Sequence, residues 1–392
     1  MTPAGTAAPT DPVGSTGSSE APETASGVAT PVTGARPGRR RPQVRPDLVA
    51  LEGYHSPQVD VAVRLNTNEA PVPPPPAFAD ALAAELSRID WHRYPDRAAT
   101  ALREAIAASH DVDPEQVFAA NGSNEVLQTV CLAYGGHGRR AALFAPTYLM
   151  HGQIASVTGT EVVVGARAAD LTLDLDEVER VVAEHAPAIT FVCSPNNPTG
   201  TVEDPATIAA VADLAPGVVV VDEAYGQFAD RSALELVDEQ RPIVVTRTFS
   251  KTWSMAAARL GYLVGPTWLV EELEKVVLPY HLDSAKQVAG RVALRFSAEM
   301  EERVAALVAE RRRLVAGLEA LPVHQWRSDA NFVLFRPRDR AGREVWQGLL
   351  DRSVLVRDCS SWPGLDGCLR VTVGTPAEDD AFLTALTEVL RP

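Results

Sequence analysis

The sequence is poor in cysteine: four in 392 residues, Cys131, Cys193, Cys359 and Cys368, with no Cys-x-x-Cys pair. That scatter excludes a disulfide framework and a thiolate metal site, and reads as buried apolar residues in a reducing compartment. No metal is expected. Basic charge is in deficit, with 36 Lys and Arg against 51 Asp and Glu and a formal net charge of -15. Such a balance argues against a nucleic-acid binder and against a binder of anionic membranes. Long apolar runs are missing too, since none approaches the ~18 residues of a membrane span. The N-terminus lacks the apolar core of a secretory signal, so a cytoplasmic location is expected. There is no internal repeat.

What is present is enough for a real core: 46% of residues are apolar and only 22% charged. The length suits a large domain and a smaller one. Residues 1–45 stand apart, being mostly Ala, Thr, Pro, Gly and Ser and ending near Arg39, Arg40 and Arg41. Nothing there offsets the entropy of ordering, so this is read as a disordered tail. From Pro46 the composition changes. A strand is expected at 61–65, helices at 77–86 and 100–109, and a loop at 91–96. Strand 116–120 then feeds a helix that opens at 121–125 and runs to Tyr134. Further strands fall at 141–145, 161–164, 189–193, 218–221 and 243–245. Strands alternating with helices at this spacing predict a mostly parallel sheet covered on both faces. A helix to about residue 277 and a long helical stretch at 287–318 lead into a second domain. Its strands are expected at 331–335, 354–357 and 368–373, and its last helix at 379–390.

The chemistry gathers at strand ends. The apolar run Ile243-Val244-Val245 leads into Thr246-Arg247-Thr248-Phe249-Ser250-Lys251, with Arg259 eight positions on. Lysine is seldom buried without a reason. At the carboxyl end of a parallel strand, where open α/β sheets hold ligands, one reason is a Schiff base to a carbonyl cofactor. Pyridoxal phosphate makes further demands, and each has a candidate. Its phosphate needs donors: Gly122-Ser123-Asn124 at a helix N-terminus, the Ser250 hydroxyl and the Arg259 guanidinium. Its ring nitrogen needs a buried carboxylate, and Asp222 ends an apolar strand where a lone charge is costly. Tyr225 and Asn197, the latter in Ser194-Pro-Asn-Asn-Pro-Thr-Gly200, suit the ring's phenolic oxygen. Tyr148 suits the ring face. Lys251, once displaced by a substrate amine, becomes the base that moves the α-proton. Arg370, on a later strand, suits a substrate carboxylate or phosphate. Singly, these residues have plainer readings: a helix cap, an N-cap aspartate, a core tyrosine, a surface arginine. Their co-occurrence is what carries weight.

Taken in order, segments 66–71, 93–95, 121–125, 146–148, 194–200, 222–225, 250–259 and 369–375 resemble the class II aminotransferases of fold type I. Within these the chain looks most like the histidinol-phosphate aminotransferases, over roughly residues 46–390. The resemblance implies an α/β fold: a large domain whose mostly parallel central sheet lies between helices, plus a smaller α+β C-terminal domain. It implies an arm at 46–90 that contributes to the small domain and to dimer contacts, a pyridoxal-phosphate-binding domain at 91–285 and a small domain at 286–392. The implied cofactor is pyridoxal 5'-phosphate. The implied reaction moves an amino group between L-histidinol phosphate and 2-oxoglutarate, in histidine biosynthesis. Arg357-Asp358 before Gly367-Cys368-Leu369-Arg370 is the feature most particular to that substrate, since two arginines suit a dianion. Tyr54 and Asn68 are implied on the substrate side. Tyr94 and Tyr280 are implied to reach the neighbouring subunit's site, Tyr94 beside the cofactor, so a homodimer is expected. Thr252-Trp253 and Ala257-Ala258 depart from the usual pattern, and the bulk of Trp253 leaves the shape of the pocket open. A phenylalanine or tyrosine aminotransferase, or a threonine-phosphate decarboxylase on the same scaffold, remain the alternatives.

Overall fold

Four valines in a row, Val218 to Val221, are all buried, as a strand covered on both faces requires. Alternate members face opposite ways. Val218 and Val220 join one apolar cluster, Val219 and Val221 another. The computed structural model describes residues 42–49, 51, 53 and 59–391; most of the expected tail, and Tyr54, lie outside them.

In chain order the first elements are β1 (Val63–Leu65), α1 (Pro76–Leu86), α2 (Thr100–His110), β2 (Val117–Ala120), α3 (Ser123–Tyr134), β3 (Arg140–Ala145), α4 (Leu149–Val157) and β4 (Glu161–Ala166). Then come α5 (Leu175–His185), β5 (Ile189–Cys193), α6 (Pro205–Leu214), β6 (Val218–Asp222), β7 (Ile243–Thr248), β8 (Gly261–Val264) and α7 (Thr267–Val276). The remainder is α8 (Ser284–Leu294), α9 (Ser297–Glu319), β9 (Val323–Gln325), β10 (Phe332–Pro337), α10 (Gly342–Leu350), β11 (Val354–Asp358), β12 (Leu369–Thr372) and α11 (Pro376–Leu390).

Seven strands form one sheet in the order β2-β8-β7-β6-β5-β3-β4. Within it β4, β3, β5, β6 and β7 pair in parallel, and β8 alone is reversed against both β7 and β2. Helices α3, α4 and α7 cover one face, and α5 and α6 the other. The second sheet runs β1-β11-β12-β10-β9, and β1 pairs in parallel with β11 nearly 300 residues later. In the adjacent antiparallel pair, Arg357 of β11 is the Cα partner of Arg370 of β12.

Most expected elements are present within a few residues. The stretch at 287–318 differs, being two helices rather than one. Phe296 leaves helical backbone (φ -109°, ψ 32°) and sets its ring edge-on to Phe78 at 6.0 Å, contact that an unbroken helix would direct elsewhere. Helix α11 begins at Pro376, before the expected residue 379, because Thr375 and Glu378 form a capping box.

Candidate active site

A cavity of about 280 Å³ opens where the carboxyl ends of β5, β6 and β7 meet the start of α3. Residues of the second sheet, Arg357 and Arg370, line the same space.

Asp222 ends β6 and is 2% exposed. Its Oδ1 accepts the Ala224 N–H at 3.0 Å and the Thr246 hydroxyl at 3.4 Å. Its Oδ2 lies 2.9 Å from Nε2 of His151. An ionised carboxylate only accepts, so the imidazole proton belongs on Nε2. The His151 Nδ1 is buried and has no partner among the described residues, which agrees with an unprotonated nitrogen there. Phe191 stacks on that imidazole at 4.8 Å and the Tyr148 ring meets it edge-on at 5.3 Å. Sequence reasoning missed His151. Its signal was the spacing: three positions after Tyr148, it falls on the same side of the first turn of α4.

Lys251 follows β7. Its Nζ donates to the Thr67 carbonyl at 3.1 Å and stands 5.6 Å from the centre of the Tyr225 ring. Burial, with the nearby charges of Arg370 and Arg259, draws its pKa down from 10.5 to about 7, against the opposing pull of Glu69. Tyr225 is held the other way, its phenol pushed by burial up to about 12, so it keeps its proton. Its oxygen accepts Nδ2 of Asn68 at 2.9 Å.

The two asparagines of the 194–200 turn have separate tasks. Asn196 ties the turn down, donating to the Pro146 carbonyl at 2.9 Å and to Thr199 Oγ1 at 2.8 Å. Asn197 lines the cavity and accepts Arg370 Nη1 at 2.5 Å. Arg370 also donates to the Asn66 carbonyl at 2.8 Å and lies over the Phe332 ring at 5.1 Å. Its Nε is buried with no partner among the described residues.

An anion cradle forms at the start of α3. Gly122 has φ +83°, and a Cβ there would lie 2.8 Å from Arg259 Nη2. A Cβ on Gly261 would lie 2.4 Å from the Ser123 nitrogen. Glycine at both positions lets strand, helix start and guanidinium approach one another. Arg259 Nη1 donates to Ser250 Oγ at 3.2 Å, and Ser123, Asn124, Ser250 and Arg259 all face the cavity. Asn124 Oδ1 accepts the Tyr148 hydroxyl at 3.3 Å.

Tyr94 and Tyr280 lie elsewhere. They stack on each other at 4.6 Å, are 82% and 43% exposed, and are not among the cavity's lining residues. Trp253 packs against Phe249 at 5.5 Å within an apolar cluster and does not line this cavity. The tryptophan that does is Trp362, which the sequence reading passed over.

A lysine with a lowered pKa, a buried carboxylate, an anion cradle and two further arginines around one cavity define an enzyme that handles amines bearing an anionic group. The chain belongs to the aminotransferase class I and II family, whose model matches residues 60–386. It is similar to a histidinol-phosphate aminotransferase of Frankia casuarinae, 48% identical over 362 residues, which cover 88% of this chain and 90% of that protein. One from Thermobifida fusca is 47% identical over 351 residues, covering 88% and 94%. Among solved structures, the histidinol-phosphate aminotransferase of Sinorhizobium meliloti in complex with pyridoxal-5'-phosphate matches with a TM-score of 0.81 at 22% identity, covering 89% of this chain and 97% of that one. That last likeness is one of fold.

Proposed function

We propose that this protein is a histidinol-phosphate aminotransferase, moving the amino group of L-histidinol phosphate to 2-oxoglutarate to give imidazole acetol phosphate and L-glutamate. The observation that carries the substrate is the pairing of Arg357 with Arg370 across adjacent strands, both lining the cavity that Lys251 lines. A carboxylate needs one guanidinium, whereas a phosphate dianion is better served by two.

The residues present fit pyridoxal 5'-phosphate. Gly122 leaves room for Arg259 beside the first turn of α3, Asp222 is a buried carboxylate braced by His151, and Lys251 is about half neutral near pH 7. Ser123, Asn124, Ser250 and Arg259 would hold its phosphate, Asp222 its ring nitrogen, Asn197 and Tyr225 its ring oxygen, and Tyr148 its ring face. When bound, this group supplies a carbonyl carbon for the amine and an electron sink for charge at the substrate's α-carbon. As its neutral amine Lys251 would take the α-proton and deliver it to the cofactor's carbonyl carbon within the same half-reaction, and would carry a proton the opposite way in the second. Arg357 and Arg370 orient the substrate by its anion, with Asn68 lining the same cavity; Tyr54, assigned to the substrate by the resemblance, lies outside the described residues. Asn68 also fixes the Tyr225 hydroxyl.

The working unit in this reading is a cytoplasmic homodimer with shared sites. Support comes from the exposed Tyr94–Tyr280 stack, which gives a second copy an aromatic surface to cover, and from four cysteines without a disulfide. Among the described residues no helix is long and apolar enough to cross a membrane. The domain limits follow the same reading: an arm at 46–90, a cofactor-binding part at 91–285 and a small part at 286–392, the arm tied to the small part by β1.

Assay of the cofactor-loaded protein tests the reading. Glutamate should form from 2-oxoglutarate with L-histidinol phosphate as donor, and far more slowly with phenylalanine or tyrosine. Release of carbon dioxide from an amino-acid phosphate without keto acid would mark a decarboxylase instead.

A further inference from the structure

We propose that Trp362 decides which anion the two arginines accept, fitting this end of the cleft to a phosphate on a methylene arm in preference to a carboxylate bonded to the reacting carbon. The inference rests on the proposed function, in that it takes the substrate to be an amino-alcohol phosphate.

Arg357 and Arg370 face each other across β11 and β12, and the short connection between those strands carries Trp362. Backbone hydrogen bonds fix that connection. Cys359 N–H reaches the Cys368 carbonyl at 2.9 Å, and Trp362 N–H the Cys359 carbonyl at 3.0 Å. Leu365 N–H then reaches the Trp362 carbonyl at 3.1 Å, and Cys368 N–H the Leu365 carbonyl at 2.9 Å. The indole is 6% exposed and packs with Leu171, Leu334 and Leu365. It nonetheless lines the cavity that holds both arginines. Core packing holds the ring from behind, so a ligand meets a wall that needs no ordering on binding.

The two substrate classes differ at this wall. A carboxylate sits on the carbon that bears the amine. A phosphate ester of an amino alcohol interposes a CH2 and an oxygen, so its charge lies two bonds farther out. The indole gives that CH2 apolar contact and keeps water from beside the guanidinium groups, where charge-assisted bonds gain from a lower local dielectric. A carboxylate held at the reacting carbon does not extend along the ring and gains nothing from it. Trp362 thereby sets specificity without touching the reacting atoms.

The test uses cofactor-loaded wild type, Trp362→Phe, Trp362→Leu and Trp362→Ala. Calorimetric titrations with propyl phosphate and with glutarate need no turnover, and the two half-reactions give kcat and KM separately. Trp362→Ala should raise the propyl phosphate Kd and the histidinol phosphate KM about tenfold or more, leaving kcat and glutamate constants within about twofold, the scale on which apolar pockets discriminate. Trp362→Phe should recover most of the loss. Equal losses for both ligand classes, or no change in either, would overturn the assignment. Thermal melts verify folding; if the alanine variant does not fold, the phenylalanine and leucine variants carry the same comparison. Wild type that binds propyl phosphate but does not convert histidinol phosphate would sink the proposed function alone, since the titrations still decide what Trp362 does.

Discussion

His151 Nε2 lies 2.9 Å from Asp222 Oδ2, and both side chains are buried. The imidazole holds the carboxylate in one orientation, toward the cavity that Asp222 lines. Loss of a hydrogen bond to a charged group costs ~1.5–3 kcal/mol. His151→Ala is therefore expected to weaken pyridoxal 5'-phosphate retention by about tenfold or more by equilibrium dialysis, and Asp222→Ala to weaken it further. Unchanged retention in both would mean that the pair does not face the cofactor.

Lys251 has two separable roles, carrying the cofactor and moving a proton. Lys251→Ala should slow the amine half-reaction by ~10²–10⁴-fold, the usual worth of a positioned base. A free primary amine added to the buffer should restore part of that rate, whereas a merely structural lysine would give no such rescue.

The depressed pKa of Lys251 also predicts a pH dependence of stability. Between about 7 and 10.5 the unfolded chain holds a proton on this amine that the folded chain has shed. The cofactor-free protein should therefore gain stability from this group as pH rises through that window, the gain being complete above the unfolded value. Urea unfolding of wild type and Lys251→Met at several pH values isolates the effect, and the variant's curve should be flatter. Parallel curves would contradict the buried, neutralised lysine.

Arg357 and Arg370 should be distinguishable by substrate. Arg357→Leu is expected to raise the KM for histidinol phosphate by ~10–100-fold through lost charge-assisted bonds. Its effect on glutamate should be smaller, because Arg370 remains. Arg357→Lys should recover only part, since an ammonium is a point charge without the planar fork. Steady-state kinetics with each substrate varied in turn provide the check.

Glu223, beside Asp222, accepts Arg247 Nη2 at 2.7 Å and the Ala233 N–H at 2.6 Å. Both members of the ion pair are buried. Glu223→Ala would strand the guanidinium and is expected to cost ~3–5 kcal/mol by urea denaturation, as removal of one partner of a buried pair does. Glu223→Gln keeps an acceptor and should cost less.

Much of this was legible in the sequence, for identifiable reasons. Unbroken β-branched runs such as Val218 to Val221 have one physical explanation, and they located the parallel sheet and hence its ligand-bearing edge. Residues whose chemistry is singular, such as Lys251, Asp222 and Arg259, could be read from strand ends. Side chains whose role depends on what lies across the cavity were not legible. His151 and Trp362 are ordinary core residues until Asp222 and the two arginines are set beside them. The bulk of Trp253 left the shape of the pocket open, and the turn after the lysine sends its ring into the core. The break at Phe296 depends on Phe78, more than 200 positions away, and no local pattern reports such a contact.

The most direct measurement is the absorbance spectrum of the purified, cofactor-loaded protein before and after addition of L-histidinol phosphate with no keto acid present. The band of the Lys251-linked cofactor should be replaced by that of the aminated cofactor, stoichiometrically and far faster than with phenylalanine or tyrosine. Later addition of 2-oxoglutarate should restore the first band. Faster conversion by an aromatic amino acid than by L-histidinol phosphate would contradict the role given to Arg357 and Arg370, and no Lys251-linked band at all would contradict the account of the site.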